Sequence, residues 1–163
     1  MPEFFNSSLG VKLTMQEAVD EVIRFMQDEP RYIYSITLGT DSLCLANDTV
    51  DFVTAFVVHR VGNGGRYFWR RAKLGKFHTL RDRIIQEVLI SIDFGKLFLE
   101  ALQERAKQEQ LPEWSFELHA DIGENGPTKA MLQEVTGMIR AYNFEVRTKP
   151  YSYAATTIAD KHV

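Results

Sequence analysis

The sequence predicts an α/β domain. A mixed five-stranded sheet, with three antiparallel strands and then two parallel ones, is flanked by helices, and an extra helix precedes it. Three observations lead there. Three strand-like segments follow one another across tight turns, the later strands are separated by helical segments, and no repeat, low-complexity tract or Ser/Gly linker divides residues 1–163.

The first helix is marked by a capping box, Thr14 with Glu17, ahead of an apolar stripe of Val19, Val22, Ile23 and Met26, and Pro30 ends it after Asp28. Tyr32 to Asp41 is rich in β-branched and aromatic residues and predicts a strand, as does Asp51 to Arg60. The turn Gly62-Asn63-Gly64-Gly65 leads into a third strand, Arg66 to Ala72, so these three predict an antiparallel meander. Thr79 to Gln108 is a long helical segment carrying Leu80, Ile84, Val88 and Ile92 on one face. Trp114 to Ile122 predicts a fourth strand, Pro127 to Tyr142 a helix begun by its proline, and Phe144 to Lys149 a short fifth strand. A last helix is expected from Tyr153, although Thr156, Thr157 and Ile158 are poor helix formers. Strands joined through helices pair in parallel by right-handed crossovers, which puts strands four and five beside the first. That succession is the one the ribonuclease H fold uses.

Composition sets the bounds on function. At 45% hydrophobic and 25% charged residues, the chain is neither disordered nor fibrous. No apolar run approaches the roughly 18 residues that a membrane span needs, and no basic stretch precedes an apolar block near Met1. The lone Cys44 makes no internal disulfide, so the expected location is a reducing cytoplasm. A net charge of −3 argues against a partner held by electrostatics alone, since phosphate contacts normally come from a basic surface.

Four acids stand out by their placement. Ile33, Ser35, Thr37, Gly39 and Asp41 share one face of the first strand, with Asp41 expected at its end. Ser115, Glu117, His119 and Asp121 share a face of the fourth, again with the aspartate last. Parallel neighbours would bring Asp41 and Asp121 to one sheet edge, where open α/β sheets bind ligands. Glu87 falls on the core-facing stripe of the long helix with Ser91 and Gly95, small residues that permit close approach, while Asp82 and Glu100 suit solvent. A half-buried carboxylate is costly unless paired or cation-bound. Asp160 is the fourth candidate. Clustered carboxylates repel unless a divalent cation sits among them, and Mg²⁺ or Mn²⁺ suits oxygen ligands. Two such ions about 3.5–4 Å apart would activate water and stabilise a leaving oxygen in phosphodiester cleavage. Each acid also has a structural explanation: an Asx turn for Asp41 or Asp121, a salt bridge to Arg83 for Glu87, and plain solvation for Asp160.

These residues resemble the YkuK family of predicted ribonuclease H-like nucleases over nearly the whole chain, from Phe5-Asn6-Ser7-Ser8 to Asp160-Lys161-His162. The shared phrases include Gly39-Thr40-Asp41-Ser42, Gly64-Gly65-Arg66-Tyr67-Phe68, Gln86-Glu87-Val88, His119-Ala120-Asp121-Ile122-Gly123 and Asn125-Gly126-Pro127-Thr128-Lys129. The resemblance implies the fold and a metal-dependent site on Asp41, Glu87, Asp121 and Asp160. Related exonucleases carry an acid two residues after the first catalytic aspartate. Here that position is Leu43, which favours the endonuclease-like or hybrid-cleaving analogy.

Four further residues are candidate substrate contacts. Arg66 and Arg70 belong to a segment, Arg66 to Lys73, that interleaves basic and aromatic residues. It predicts either a groove with stacking platforms or an edge strand whose arginines prevent aggregation. Asn125 and Lys129, with Thr128, flank a helix start just after Asp121, where free N–H groups would hold phosphate or simply be capped. His119 and His162 are candidates for proton transfer, against a sheet histidine in a hydrogen bond and a solvated one. The expected function is a Mg²⁺- or Mn²⁺-dependent nuclease acting on RNA, DNA or a hybrid, with no membrane partner. The rival is a catalytically silent nucleic-acid- or protein-binding module on the same fold.

Overall fold

The computed structural model describes residues 4–152 together with Ala154, Ala159 and His162. All five predicted strands are present, and two more precede them. Strands β1 (Phe4–Ser7) and β2 (Lys12–Thr14) form a hairpin through a turn in which Gly10 takes φ 81°. Four- and three-residue strands are too short for a period of two to show in sequence. Helix α1 (Met15–Asp28) follows, with the Thr14–Glu17 capping box formed as predicted.

The meander consists of β3 (Tyr34–Cys44), β4 (Thr49–Arg60) and β5 (Gly65–Lys76), all antiparallel. Helix α2 (Leu80–Gln108) crosses to β6 (Trp114–His119), which pairs in parallel with β3. A single 3₁₀ turn at Lys129–Met131 and helix α3 (Leu132–Ala141) lead to β7 (Glu145–Arg147), parallel to β6. The sheet order is β2-β1-β5-β4-β3-β6-β7. The third helix therefore starts later than Pro127, because the chain first passes through the 3₁₀ turn at Lys129–Met131 before α3 begins at Leu132. The helix predicted from Tyr153 lies largely outside the described residues.

The period of two sorts the sheet into two faces. Tyr34, Ile36, Leu38, Phe52, Phe56, Val58 and Phe68 are buried in the main core with residues of α1 and α2. The opposite face carries Thr37, Gly39 and Asp41 of β3, Asp51, Val53 and Ala55 of β4, and Tyr67, Trp69 and Arg71 of β5. Val53, Ala55, Trp69 and Ala159 form a small second cluster there. Gly95 brings α2 close to the sheet as predicted: a Cβ there would lie 3.2 Å from Leu118 and 3.3 Å from Phe144.

Of the strand ends that differ from expectation, two matter to the site. Asp41 does not end β3, which continues to Cys44 because it pairs with β4 as far as Val50. Strand β6 stops at His119 rather than Ile122; beyond it the Ala120 N–H turns to the Arg147 carbonyl. Strand β5 is also not a simple edge, since β1 covers it at Phe68 and Trp69.

Candidate functional site

The parallel register pairs Gly39 with His119, so Asp41 and Asp121 each lie two residues beyond the last paired position. β6 has ended there, which leaves a notch beside Thr40 to Cys44. Glu87 enters this notch from α2. Its side chain is buried at 7% exposure and accepts a hydrogen bond from the Ser42 hydroxyl at 2.5 Å. Ser91, one turn on, is hydrogen-bonded to Thr40 at 2.8 Å, and Thr40 to Thr54 at 3.0 Å. Arg83 does not form the salt bridge that would explain Glu87 structurally. Its guanidinium reaches Ser42 and Cys44 instead.

Burial pushes the Glu87 carboxyl up to about 8, and the negative charges of Asp41 and Asp121 push the same way. The Ser42 hydrogen bond and the Arg83 charge oppose them without prevailing. Two of the predicted acids thus act electrostatically on the third, and Glu87 and Asp121 line a common cavity with room for about one water. Asp41 is half-buried, and its Oδ1 accepts the Ser42 N–H at 2.9 Å, so the local turn interaction is also present.

Asp121 has a partner that the sequence did not point to. Lys149 Nζ lies 3.1 Å from Asp121 Oδ1, an ion pair by distance. Its direction makes no hydrogen bond, and that oxygen is buried without a hydrogen-bond partner. The close approach depends on Gly123, where a Cβ would meet the Lys149 Cβ at 2.9 Å. Among the described residues, no three acidic, histidine or cysteine side chains stand close enough to ligate one ion. Asp160, the fourth predicted ligand, lies outside the described residues. The donors still fit a hard divalent cation in kind: carboxylate oxygens, one of them buried without a hydrogen bond, beside a carboxyl whose proton is held chiefly by burial.

His119 is a sheet histidine in a hydrogen-bond network. It is 2% exposed, its Nδ1 accepts the Ala154 N–H at 3.1 Å, and its Nε2 faces Glu117 Oε1 at 3.1 Å. Burial lowers its pKa, and Glu117 is itself tied to Arg147 at 2.9 Å. Asn125 and Lys129 are exposed and border an open cavity of about 520 Å³. An adjoining one of about 500 Å³ runs between Asn125, Lys149 and Tyr151, next to Asp121. Thr128 does not cap the following turn with its side chain; its hydroxyl accepts the Gly123 N–H at 3.3 Å.

Arg66 and Arg70 are placed elsewhere. Both lie on the core side of β5, where the period of two sets them apart from Trp69 and Arg71. Arg70 is 3% exposed, with its guanidinium 4.4 Å from the Phe94 ring centre, which removes it from any surface a substrate could touch. Arg66 stacks on Phe25 at 4.8 Å and borders a cavity at the β1–β2 hairpin. The sequence also missed Asp51, 5% exposed, whose Oδ2 pairs with Arg71 Nε at 2.9 Å while Oδ1 has no hydrogen-bond partner. Its alternation with Val53 and Ala55 was a signal that could have revealed it.

Residues 17–163 match the family described as ribonuclease H-like. The uncharacterized protein YkuK of Bacillus subtilis (strain 168) is 32% identical over 165 residues, covering 97% of this chain and 95% of the relative. No solved structure matches the chain. With notch, acids and sheet order in place, these matches establish that the chain belongs to the ribonuclease H-like family, as a relative of YkuK.

Proposed function

We propose that the protein hydrolyses phosphodiester bonds of nucleic acid, using Mg²⁺ or Mn²⁺ held by Asp41, Glu87, Asp121 and Asp160. The observation that carries this reading is Glu87. An acid buried at 7% exposure, fixed by Ser42 and facing the charges of two aspartates, is costly to the fold and is accounted for by a cation that relieves the repulsion. When bound, divalent ions supply charge stabilisation at the scissile phosphate and a stronger nucleophile from water.

The chain's own residues do the rest. Asp41 and Asp121 present oxygens at the sheet edge, and Ser42 fixes the Glu87 carboxyl. Asn125, Lys129 and Lys149 border the adjoining cavities, where backbone phosphates would lie. His119 is not a base in this scheme, because both of its ring nitrogens are engaged.

The second reading, a silent binding module, is favoured by one observation: Lys149 already supplies a cationic partner to Asp121. Calorimetric titration with Mn²⁺ and Mg²⁺ separates the two. Binding in the wild type that falls at least tenfold in both Asp41→Asn and Asp121→Asn supports the nuclease. No binding, with or without an oligonucleotide present, establishes the silent module.

A further inference from the structure

We propose that Tyr67, Trp69 and Arg71 form a strip that takes single-stranded nucleic acid by base stacking, and that His162 occupies the Trp69 platform in the free protein. This rests on nucleic acid being the partner, but not on the acids being catalytic.

The three side chains alternate along β5 on the face opposite α2, and successive ones are about 6.8 Å apart. That is twice the 3.4 Å of bases stacked in a duplex strand, so the strip engages bases singly, as in an extended single strand. The His162 ring lies flat on Trp69, with centroids 4.3 Å apart and planes 9° from parallel. A planar nitrogen heterocycle on an indole is the geometry a nucleobase adopts on such a platform. Tyr67 flanks the same ring at 5.6 Å, its hydroxyl 3.3 Å from His162 Nε2.

Arg71 completes the strip. Its guanidinium lies 5.8 Å from the Trp69 ring and donates to the His162 carbonyl, the kind of acceptor a phosphate oxygen would replace. Asp51 holds Arg71 from beneath at 2.9 Å, which fixes the guanidinium before any ligand arrives. Lys73, exposed, extends the positive charge along the strand. Cross-strand register then ties the strip to the acids: Asp41 pairs with Val53 and Val53 with Arg71, in one row across the sheet. Two strand spacings put the Asp41 and Arg71 backbones about 10 Å apart on the same face. A strand held by Trp69 and Arg71 therefore lies on the same sheet face as Asp41, with Val53, and Ala159 packed on it, between them.

The test uses the full chain carrying Trp114→Phe, which leaves Trp69 as its sole tryptophan, in EDTA so that no metal is required. Titration with a 12-residue oligothymidylate is expected to quench Trp69 emission. His162→Ala is expected to tighten binding by about fivefold or more by clearing the platform. Measured by anisotropy of a labelled oligonucleotide, Trp69→Ala is expected to weaken it by about five- to hundredfold, the value of one stacked base, with Trp69→Phe restoring most of the loss. Urea unfolding of each variant shows whether the fold is kept.

Unchanged emission where the labelled strand binds, or equal affinity in Trp69→Ala, overturns the strip. So does equal quenching by a 12-base-pair duplex, or weaker binding by His162→Ala. If emission fails to respond while Asp41→Asn still abolishes Mn²⁺ binding, the strip falls and the nuclease reading stands.

Discussion

The Ser42 hydroxyl donates to the buried Glu87 carboxyl at 2.5 Å, joining β3 to α2 at the level of Asp41. Burial of that carboxyl, which outweighs the Ser42 bond, sets the titration of the site. With the Glu87 carboxyl at about 8 against an ordinary 4.5, the folded protein keeps a proton that the unfolded chain releases between those values. Stability of the metal-free protein should therefore fall as pH rises from about 4.5 to 8, by up to about 1.4 kcal/mol per pH unit. Urea midpoints at pH 5 and pH 8 check this. Glu87→Gln should flatten the difference, and saturating Mn²⁺ should recover stability at pH 8. A flat wild-type profile would show that the carboxyl is not held protonated.

Lys149 competes with any cation for Asp121. Lys149→Ala should strengthen Mn²⁺ binding by about two- to fivefold, the scale of a partly exposed ion pair, while weakening oligonucleotide binding. Calorimetry and anisotropy on the same variant read the two opposite signs. Weaker metal binding would mean that Lys149 supports the site instead of competing for it.

Gly123 allows the Lys149 chain to pass at a distance no larger residue permits. Gly123→Ala should cost about 1–3 kcal/mol in urea unfolding, because the Cβ it meets belongs to a segment tied down by the Lys149 N–H to Ile122 carbonyl bond. An unchanged midpoint would show that the two segments separate easily.

Arg70 and Arg71 are neighbours with opposite assignments. Arg70→Ala should destabilise the protein by about 1–3 kcal/mol, through lost packing on Phe94, and leave oligonucleotide affinity unaltered. Arg71→Ala should lower affinity. Parallel binding and unfolding measurements test the pair, and an affinity loss in Arg70→Ala would contradict its burial.

The pattern-driven parts of the fold were legible in sequence. Helix α1 runs from Met15 to Asp28 as predicted, because Thr14, Glu17 and Pro30 are local signals. The antiparallel-then-parallel strand order followed from where helices interrupt strands. The β1–β2 hairpin was not legible, since its strands hold too few residues to display a period. Glu87 was identifiable because an acid on an apolar helical stripe conflicts with its surroundings. Lys149 was not, because its contact with Asp121 joins two loop segments across a glycine, and no periodicity records that. Arg70 was misplaced for a related reason: composition marked the whole Arg66–Lys73 segment as basic and aromatic, and only register divides it between core and surface.

The β3–β6 pairing bears on how the protein reaches its native state. Tyr34 pairs with Trp114, about 80 residues away, whereas β3, β4 and β5 are joined by short turns. Closing that long loop costs entropy before any contact repays it, so the meander is the fast-forming part of the chain. Asp41 and Asp121 meet only when α2 has docked and β6 has zipped against β3. The carboxylates are thus kept apart during the early collapse, and their repulsion is met only once most of the apolar surface is already buried.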